Sequence, residues 1–233
     1  MPLAALWRAA ADLVAPQHCV GCGRGGALLC TRCLEASSRL EAPFCQRCAA
    51  PLRNPSLRWC GKCTYLQALD GVRSVFLLDG PIRRAVHALK YRGVWGLGPV
   101  LGAMLVPTAL GMACLPQVVV PVPLHPLRLK ERGYNQAALL ARCVAQGLGL
   151  PLEENLLVRR RAGTPSATLP SARLRQEEVR GAFACSEEEM GGVAVLLVDD
   201  VCTSGATLDA CAVALKGAGA GGVWGLTLAR EPV

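Results

Sequence analysis

The sequence lacks several features that would assign it to common protein classes. No apolar run reaches the roughly 18 to 20 residues that a membrane-spanning helix needs, and Arg8 and Asp12 interrupt the apolar positions near the N-terminus. An export signal is therefore not expected, and the helical spacing of the apolar residues predicts an amphipathic helix over residues 1–17. These absences predict a cytoplasmic protein with no stable membrane insertion.

Aromatic residues, histidines and the glycine motif of ATPases are also rare or missing. Aromatic residues make up 4% of the chain, which disfavours an extended platform for stacking bases. The motif G-x-x-x-x-G-K-[ST] does not occur, so an ATPase phosphate loop is excluded. The isolated histidines His18, His87 and His125 are interpreted as structural or surface residues. Hydrophobic residues nevertheless make up 52%, which predicts a compact, folded chain.

Basic residues are in excess over acidic ones. The formal net charge is +8 for 233 residues, and the segment 83–180 is rich in arginine and lysine. A solvated basic surface is the simpler interpretation of this excess. The same charge also suits phosphate-rich partners, either a polyphosphorylated small molecule or single-stranded nucleic acid.

Cysteine is abundant and unevenly distributed. Eight of the 13 cysteines form four C-x-x-C pairs: Cys19/Cys22, Cys30/Cys33, Cys45/Cys48 and Cys60/Cys63. Two such pairs complete a tetrahedral shell of thiolates, so residues 18–66 are predicted to form a double zinc ribbon with about two structural zinc ions. A reducing compartment disfavours a disulfide framework, and four tandem pairs are not typical of a thioredoxin-like redox site.

The spacing leaves the pairing of these cysteines open. In a sequential scheme, the first two C-x-x-C pairs bind one ion and the last two bind the other. In a cross-braced scheme, the first pair joins the third and the second joins the fourth. Both schemes are compatible with the sequence.

Residues 69–233 have the pattern of an α/β domain. Apolar stretches predict strands at 71–79, 118–123, 193–200 and 221–230, and helices are predicted at 81–93, 137–147 and 206–220. Strands that alternate with helices imply a parallel sheet with helices on both faces. Ligands bind beyond the carboxyl ends of such strands, so the loops that follow the strands are expected to converge on one site.

The stretch VLLVDDVCTSGATL carries the most specific signal in this domain. An aliphatic strand ends in Asp199 and Asp200, and a glycine-containing turn leads into a helix. Backbone N–H groups at a helix start, together with the hydroxyls of Thr203, Ser204 and Thr207, can hold a phosphate. The carboxylates suit vicinal sugar hydroxyls or a hydrated Mg²⁺ instead. A ribose 5-phosphate fits both halves, whereas an ordinary strand–helix connection leaves the paired acids unexplained.

This stretch resembles the phosphoribosyl-pyrophosphate signature of type I phosphoribosyltransferases. Three further segments resemble the ComF family (ComF/GntX-like): LKYRG at 89–93, PVPLHPLRLKERGYNQ at 121–136, and GAF at 181–183 after an arginine-rich segment. That family places a cysteine-rich zinc module before a type I phosphoribosyltransferase domain and is linked to natural competence. The resemblance covers nearly the whole chain.

The resemblance implies a role for each loop. Asp199 and Asp200 would bind the ribose hydroxyls or Mg²⁺. The 5-phosphate would be held by Thr203, Ser204, Gly205, Ala206 and Thr207. The pyrophosphate loop would include Gly133, Tyr134, Asn135 and Gln136. The cations that stabilise the departing pyrophosphate would be Arg128, Lys130 and Arg132, joined by Arg173 from a mobile lid over residues 159–180.

Two functions of different classes follow from these interpretations. The first is a phosphoribosyltransferase-like protein of nucleotide metabolism that binds phosphoribosyl pyrophosphate with Mg²⁺. As an enzyme it would stabilise the leaving pyrophosphate electrostatically and would need no nucleophilic side chain. The alternative is a non-catalytic protein that binds single-stranded DNA or a DNA-uptake helicase, and whose sugar-phosphate pocket only senses its ligand. The sequence leaves the acceptor base or amine, turnover and the oligomeric state open.

Overall fold

A computed structural model of the chain describes residues 17–161 and 172–232. The strands are β1 (Gly71–Leu77), β2 (Val118–Pro121), β3 (Leu157–Arg159), β4 (Phe183–Cys185), β5 (Ala194–Cys202) and β6 (Gly222–Arg230). The helices are α1 (Thr31–Glu35), α2 (Gly80–Tyr91), α3 (Leu97–Leu110), α4 (Pro126–Arg132), α5 (Gln136–Leu148), α6 (Ala172–Val179) and α7 (Ala206–Gly217). The helix predicted over residues 1–17 lies outside the described residues, apart from Gln17.

In this part of the chain, four parallel strands form the central sheet. Their spatial order is β1–β6–β5–β2, and every neighbouring pair is parallel. Strands β3 and β4 form a separate antiparallel pair. The chain passes from β1 to β2 and from β5 to β6 through helices, as parallel strands of one sheet require.

Alternate residues of β5 enter two different hydrophobic cores. Leu196 and Val198 pack on one face of the sheet with residues of α2, α3 and α5. Val195 and Leu197 pack on the other face with residues of α7 and with β3 and β4. Both faces are therefore covered, which explains why the strand is an uninterrupted apolar run. The predicted α/β class, with a parallel sheet between helical layers, is confirmed.

Helix α3 has no counterpart among the predicted elements. It is rich in apolar residues around its circumference, so it shows no amphipathic period that would distinguish it in the sequence. It packs against α5 at close range, because a Cβ at Gly98 would lie 2.7 Å from Leu139 Cβ. The glycine allows the two helices to approach each other.

The segment after β2 contains a helix where a loop was expected. His125 precedes α4 and its Nδ1 accepts a hydrogen bond from Leu127 N at 3.3 Å, while Pro126 occupies the first helical position. The helix ends at Gly133, which has a φ of 82°. The basic side chains of this segment therefore project from a two-turn helix. Helical spacing then determines which of them lie on the same side.

The cysteine-rich segment packs directly on the sheet. Leu40 N donates to Val75 O at 2.9 Å, and Leu77 N donates to Ser38 O at 2.8 Å, so residues 38–40 lie along the free edge of β1. The division into a ribbon at 18–66 and a domain at 69–233 stays a prediction. Among the described helices, none is both long and apolar enough to cross a bilayer.

Candidate functional site

Two clusters of four cysteines lie in the N-terminal segment. The first zinc site contains Cys19, Cys22, Cys30 and Cys33, and the second zinc site contains Cys45, Cys48, Cys60 and Cys63. Within each cluster the Sγ atoms all lie within 4.8 Å of one another. The Sγ atoms of Cys22 and Cys30, of Cys45 and Cys63, and of Cys48 and Cys60 are 3.7 Å apart. Tetrahedral zinc with Zn–S bonds of about 2.3 Å requires about 3.8 Å, so the donor set fits zinc and the pairing is sequential.

In each cluster, burial and hydrogen bonds give one thiol a lowered pKa and another a raised pKa. Burial alone would raise the pKa of Cys19, but backbone N–H donors, led by that of Cys30, lower it to about 6. Hydrogen bonds from the Cys48 and Cys63 thiols lower the pKa of Cys45. The bond to Cys45 raises the pKa of Cys48 to about 12. Four thiols arranged in this way ionise together only when a cation lies between them, as a structural zinc ion does.

A separate cavity of about 680 Å³ opens at the carboxyl ends of the parallel strands. Residues that directly follow each of the four strands line it: Leu78 and Asp79 after β1, Val122 and Pro123 after β2, Thr203 after β5, and Glu231 and Pro232 after β6. The cations on its wall are Arg83, Lys90, Arg128, Arg132 and Arg159. This is where a parallel α/β sheet places its ligand, and the expected convergence of the loops is observed.

The two adjacent acids lie inside β5 and not beyond its end. Asp199 is 9% exposed and Asp200 is 2% exposed, and both line the cavity. Asp200 N donates to Asp199 Oδ1 at 2.8 Å. Burial, followed by the charge of Asp200, raises the pKa of Asp199 to about 8, although Lys90 opposes the shift. In the ligand-free protein at neutral pH, Asp199 therefore holds a proton for much of the time.

Lys90 of α2 faces these acids. Its Nζ lies 2.9 Å from Asp200 Oδ2, with side-chain exposures of 22% and 3%. Burial alone would lower the pKa of Lys90, but the charges of Asp200 and Asp199 outweigh it and the pKa is raised. The contact is an ion pair, although Asp200 Oδ2 accepts no hydrogen bond of normal geometry within the described part of the chain. This buried oxygen therefore still has acceptor capacity for a ligand.

Sequence reasoning did not assign Lys90 to the site. The signal that could have identified it is the apolar stripe of α2, since Val86 and Leu89 are buried and Lys90 follows Val86 by one helical turn. Three more residues of this helix, Arg83, His87 and Tyr91, also line the cavity and were not assigned. They recur every four residues, which places them on one face of the helix.

The loop between β5 and α7 divides its residues between the cavity and the interior. Thr203 and Thr207 line the cavity. Ser204 is buried, and its Oγ accepts a hydrogen bond from Ala206 N at 3.3 Å. Gly205 has a φ of 88°, a conformation that residues with a Cβ rarely adopt. The tight turn at the helix start is thus formed, with two of the predicted hydroxyls facing the cavity.

Cys202, the last residue of β5, is a buried thiol. Burial raises its pKa to about 11, and its Sγ donates to Cys48 O at 3.8 Å. It therefore stays protonated and is unsuited to act as a nucleophile.

The cations predicted to bind pyrophosphate occupy different positions on helix α4 relative to the cavity. Arg128 and Arg132 line the cavity, whereas Lys130 is exposed and is not among the lining residues. Arg132 donates to Gln136 Oε1 through a short contact, and its guanidinium lies 5.5 Å from the centre of the Tyr91 ring. Gln136 also lines the cavity.

The other members of this group have structural contacts. Tyr134 Oη donates to Leu89 O through a short contact, and Asn135 caps α5 by accepting from Ala137 N at 3.0 Å. Gly133 ends α4. Arg173 belongs to α6, but its side chain lies outside the described residues, as do residues 162–171 of the predicted lid. Arg159 lies at the end of β3 and reaches the cavity wall, where burial lowers its pKa.

Comparison with known proteins identifies relatives over most of the chain. Residues 10–64 match the double zinc ribbon domain family, which confirms the predicted module. The DNA utilization protein YhgH of Salmonella typhimurium is 32% identical over 77% of this chain and 80% of its own. Competence protein F of Haemophilus influenzae is 29% identical over 86% and 90%, and competence protein ComFC of Bacillus subtilis is 36% identical over 49% and 45%.

Solved structures give a weaker similarity. An allosteric regulatory enzyme of purine biosynthesis is 27% identical, with a TM-score of 0.39, over 57% of this chain and 26% of its own. Adenine phosphoribosyltransferase from Leishmania tarentolae is 15% identical, with a TM-score of 0.27, over 58% and 71%. The sequence relatives decide the assignment, because one of them exceeds 30% identity over more than three quarters of both chains. The chain therefore belongs to the ComF family of competence and DNA utilization proteins.

Proposed function

We propose that the cavity binds phosphoribosyl pyrophosphate or a related ribose phosphate. The observation that carries this proposal is the presence of two buried adjacent acids and a hydroxyl-bearing helix start in one cavity. Asp199 and Asp200 would accept hydrogen bonds from the vicinal ribose hydroxyls. Thr203 and Thr207, with the backbone N–H groups of the turn between them, would bind the 5-phosphate.

Cations from other elements of the cavity lining suit a second, more highly charged group. Arg128 and Arg132 come from α4, and Arg159 comes from β3. Arginine side chains bind phosphate oxygens through two parallel hydrogen bonds, so these three would hold the pyrophosphate. Mg²⁺ would be held by the pyrophosphate together with Asp199 or Asp200, and it would supply charge neutralisation at the leaving group. In an active transferase, the carbon–oxygen bond to pyrophosphate would break and a base or amine would take its place.

Calorimetry tests the binding proposal directly. The intact protein should bind phosphoribosyl pyrophosphate in the presence of Mg²⁺, and the double variant Asp199→Ala, Asp200→Ala should not. Glu154→Gln is a matched control, because Glu154 pairs with Arg142 and is not among the cavity-lining residues. Absence of binding by the intact protein would remove the proposal. Release of pyrophosphate in the presence of a panel of bases and amines would then separate an enzyme of nucleotide metabolism from a sensor.

A second function, contact with single-stranded DNA, has its own support. The printed names of the relatives refer to competence and DNA utilization. Residues 42–69 contain no Asp or Glu, and Trp59 is 60% exposed among the exposed cations Arg53, Arg58 and Lys62. Cations with an exposed aromatic ring suit a strand whose bases stack. Binding of an oligonucleotide should weaken linearly with the logarithm of salt concentration, and Trp59→Ala should weaken it further. A DNA-uptake helicase would be a partner on the same surface.

A further inference from the structure

A buried arginine connects the second zinc site with the loop between β5 and α7, residues 203–205, which we call the phosphate loop. Arg230, the last residue of β6, is 3% exposed. Its Nε donates to Cys48 O at 2.9 Å, and Cys48 is a ligand residue of the second zinc site. Its Nη1 donates to Cys202 O at 3.0 Å, to Thr203 O through a short contact, and to Glu231 O at 2.9 Å. One guanidinium thus holds carbonyl groups from the zinc ribbon and from the loop that follows β5.

Two further ribbon residues contact the next part of the same loop. Tyr65 Oη donates to Ser204 O at 2.8 Å. Leu66 is buried beside Gly205, since a Cβ at Gly205 would lie 3.1 Å from Leu66 Cδ1. Tyr65 and Leu66 follow Cys63, the last ligand of the second zinc site, by two and three residues. The position of both side chains is therefore tied to the fold of that site.

These contacts fix the directions of the loop's amide groups. A trans peptide is planar, and its C=O and the N–H of the next residue point in opposite directions. The carbonyls of Cys202, Thr203 and Ser204 are held by Arg230 and Tyr65. The N–H group of the next residue in each case must then point away from the donor that holds the carbonyl, which is Arg230 or Tyr65. Anion binding at such a turn depends on these N–H directions.

We propose that Arg230 and Tyr65 are positioning residues that couple phosphate affinity to the second zinc site. This inference rests on the proposed function, because the ligand whose affinity changes is a ribose phosphate. Metal in the second zinc site fixes the Cys48 carbonyl and the chain after Cys63, and through them the loop amides. Coupling between two sites is reciprocal, so bound ribose phosphate should also slow the loss of zinc from the second site.

The first zinc site provides an internal control. Its surroundings are the starts of α2 and α3: a Cβ at Gly21 would lie 3.3 Å from Pro81 Cβ, and a Cβ at Gly96 would lie 2.9 Å from Leu28 Cδ1. This site also contains a hydrogen bond of the same length as that from Tyr65 to Ser204 O: Ser37 Oγ donates to Cys33 O at 2.8 Å. Loss of this bond should not affect the phosphate loop.

The first experiment compares two single-hydroxyl deletions in the full-length, zinc-loaded protein. Tyr65→Phe removes the bond to Ser204 O and keeps the ring, and Ser37→Ala removes the bond to Cys33 O. Calorimetry with ribose 5-phosphate should show about a 3- to 10-fold weaker affinity for Tyr65→Phe, as expected for one hydrogen bond. Ser37→Ala should bind like the wild type. Both variants should retain two zinc ions, so that a change in affinity does not reflect loss of fold.

The second experiment resolves the two zinc sites by chemistry. The protein is exposed to a zinc chelator with and without saturating ribose 5-phosphate, and freed thiols are alkylated and located by peptide mass spectrometry. In the wild type, the ligand should slow labelling of Cys45, Cys48, Cys60 and Cys63 and leave labelling of the first site unchanged. The protection should be smaller in Tyr65→Phe and in Arg230→Lys, since lysine keeps the charge but cannot reach all four carbonyls.

The outcomes separate this inference from the proposed function. Failure of the wild type to bind ribose 5-phosphate overturns both. The coupling is overturned, and the binding proposal stays intact, if the wild type binds ribose 5-phosphate, Tyr65→Phe binds it with equal affinity, and the ligand does not change labelling of the second zinc site. Equal protection of both zinc sites also overturns it, because among residues 17–161 and 172–232 the hydrogen bonds of Arg230 and Tyr65 link the loop to the second site. Weaker affinity in Tyr65→Phe with protection limited to the second site supports it.

Discussion

Replacement of Asp199 should stabilise the ligand-free protein, and the gain should grow with pH. The pKa of Asp199 is raised from 3.8 to about 8 by burial and by the adjacent Asp200. The native state therefore retains a proton that the unfolded chain releases at pH 4. The contribution of this group to the free energy of unfolding is fully present below pH 4 and is lost as the pH rises towards 8. Asp199→Asn keeps the shape and the acceptor for Asp200 N, and it carries no ionisable proton.

The size of the effect follows from proton linkage. Each pH unit between the two pKa values costs the wild type about 1.4 kcal/mol relative to the variant. Between pH 6 and pH 7.5, where thiolates still retain zinc, the advantage of Asp199→Asn should therefore increase by about 2 kcal/mol. Urea unfolding of both proteins at several pH values measures this difference. A difference that is constant over this range, or a variant less stable throughout, would refute the reasoning.

Asp200→Asn is the matched control with the opposite expectation. It leaves the Lys90 ammonium without the partner that lies 2.9 Å away, and removal of one member of a largely buried ion pair destabilises a protein. It also removes the charge that raises the pKa of Asp199, so the dependence of stability on pH should become weaker. The two adjacent acids should thus give opposite signs in the same unfolding assay.

Three further predictions concern the loop, the metal sites and helix α4. Gly205→Ala should lower the free energy of unfolding by about 1–2 kcal/mol, because the φ of Gly205 is 88°. In the control Gly217→Ala, an added Cβ has nothing within 4 Å, so the free energy of unfolding should fall by less than about 1 kcal/mol or should rise. Urea titration measures both values. Serine at all four cysteines of the first zinc site should leave one zinc per chain by elemental analysis, and a chain that retains none would contradict sequential pairing. Arg128→Ala should weaken phosphoribosyl pyrophosphate binding about 10-fold or more in calorimetry. Lys130 is not among the cavity-lining residues, so Lys130→Ala should change the affinity less than about 2-fold. Equal losses of affinity would contradict the different positions of the two side chains on α4.

The parts of the fold that the sequence predicted are those with a local signal. The apolar run before Asp199, the glycine turn and the four C-x-x-C pairs each depend on residues within a few positions of one another, and the structure places all three as expected. Helix α3 was missed because its residues are apolar on every side, so no period marks it. Lys90 was missed because its role depends on Asp200, which is 110 positions away.

Arg230 illustrates the same limit more clearly. In the sequence it is one arginine at the end of an apolar strand, and nothing nearby indicates a partner. Its acceptor Cys48 lies 182 positions earlier, and the contact exists only because the ribbon packs against the sheet. A buried guanidinium requires acceptors for its N–H groups, and four backbone carbonyls supply them. Such a network is recognised in three dimensions and not from spacing.

The zinc ribbon supports the loop between β5 and α7, although none of its described residues lines the cavity. The Thr203 and Ser204 carbonyls accept hydrogen bonds from Arg230 and from the ribbon residue Tyr65, respectively. The Cys202 carbonyl accepts from Arg230 and also from Glu231 N at 3.0 Å. The first turn of α7 is also tied to the ribbon's exit, because Asp209 Oδ1 accepts from Ala68 N and Leu69 N at 2.9 and 3.0 Å. Without the ribbon, the Ser204 carbonyl would lose its donor Tyr65 and Arg230 Nε would lose its acceptor, the Cys48 carbonyl. Unpaired polar groups at a tight turn favour local rearrangement. The second zinc site, in the proposed coupling, thereby contributes to the geometry of the loop between β5 and α7.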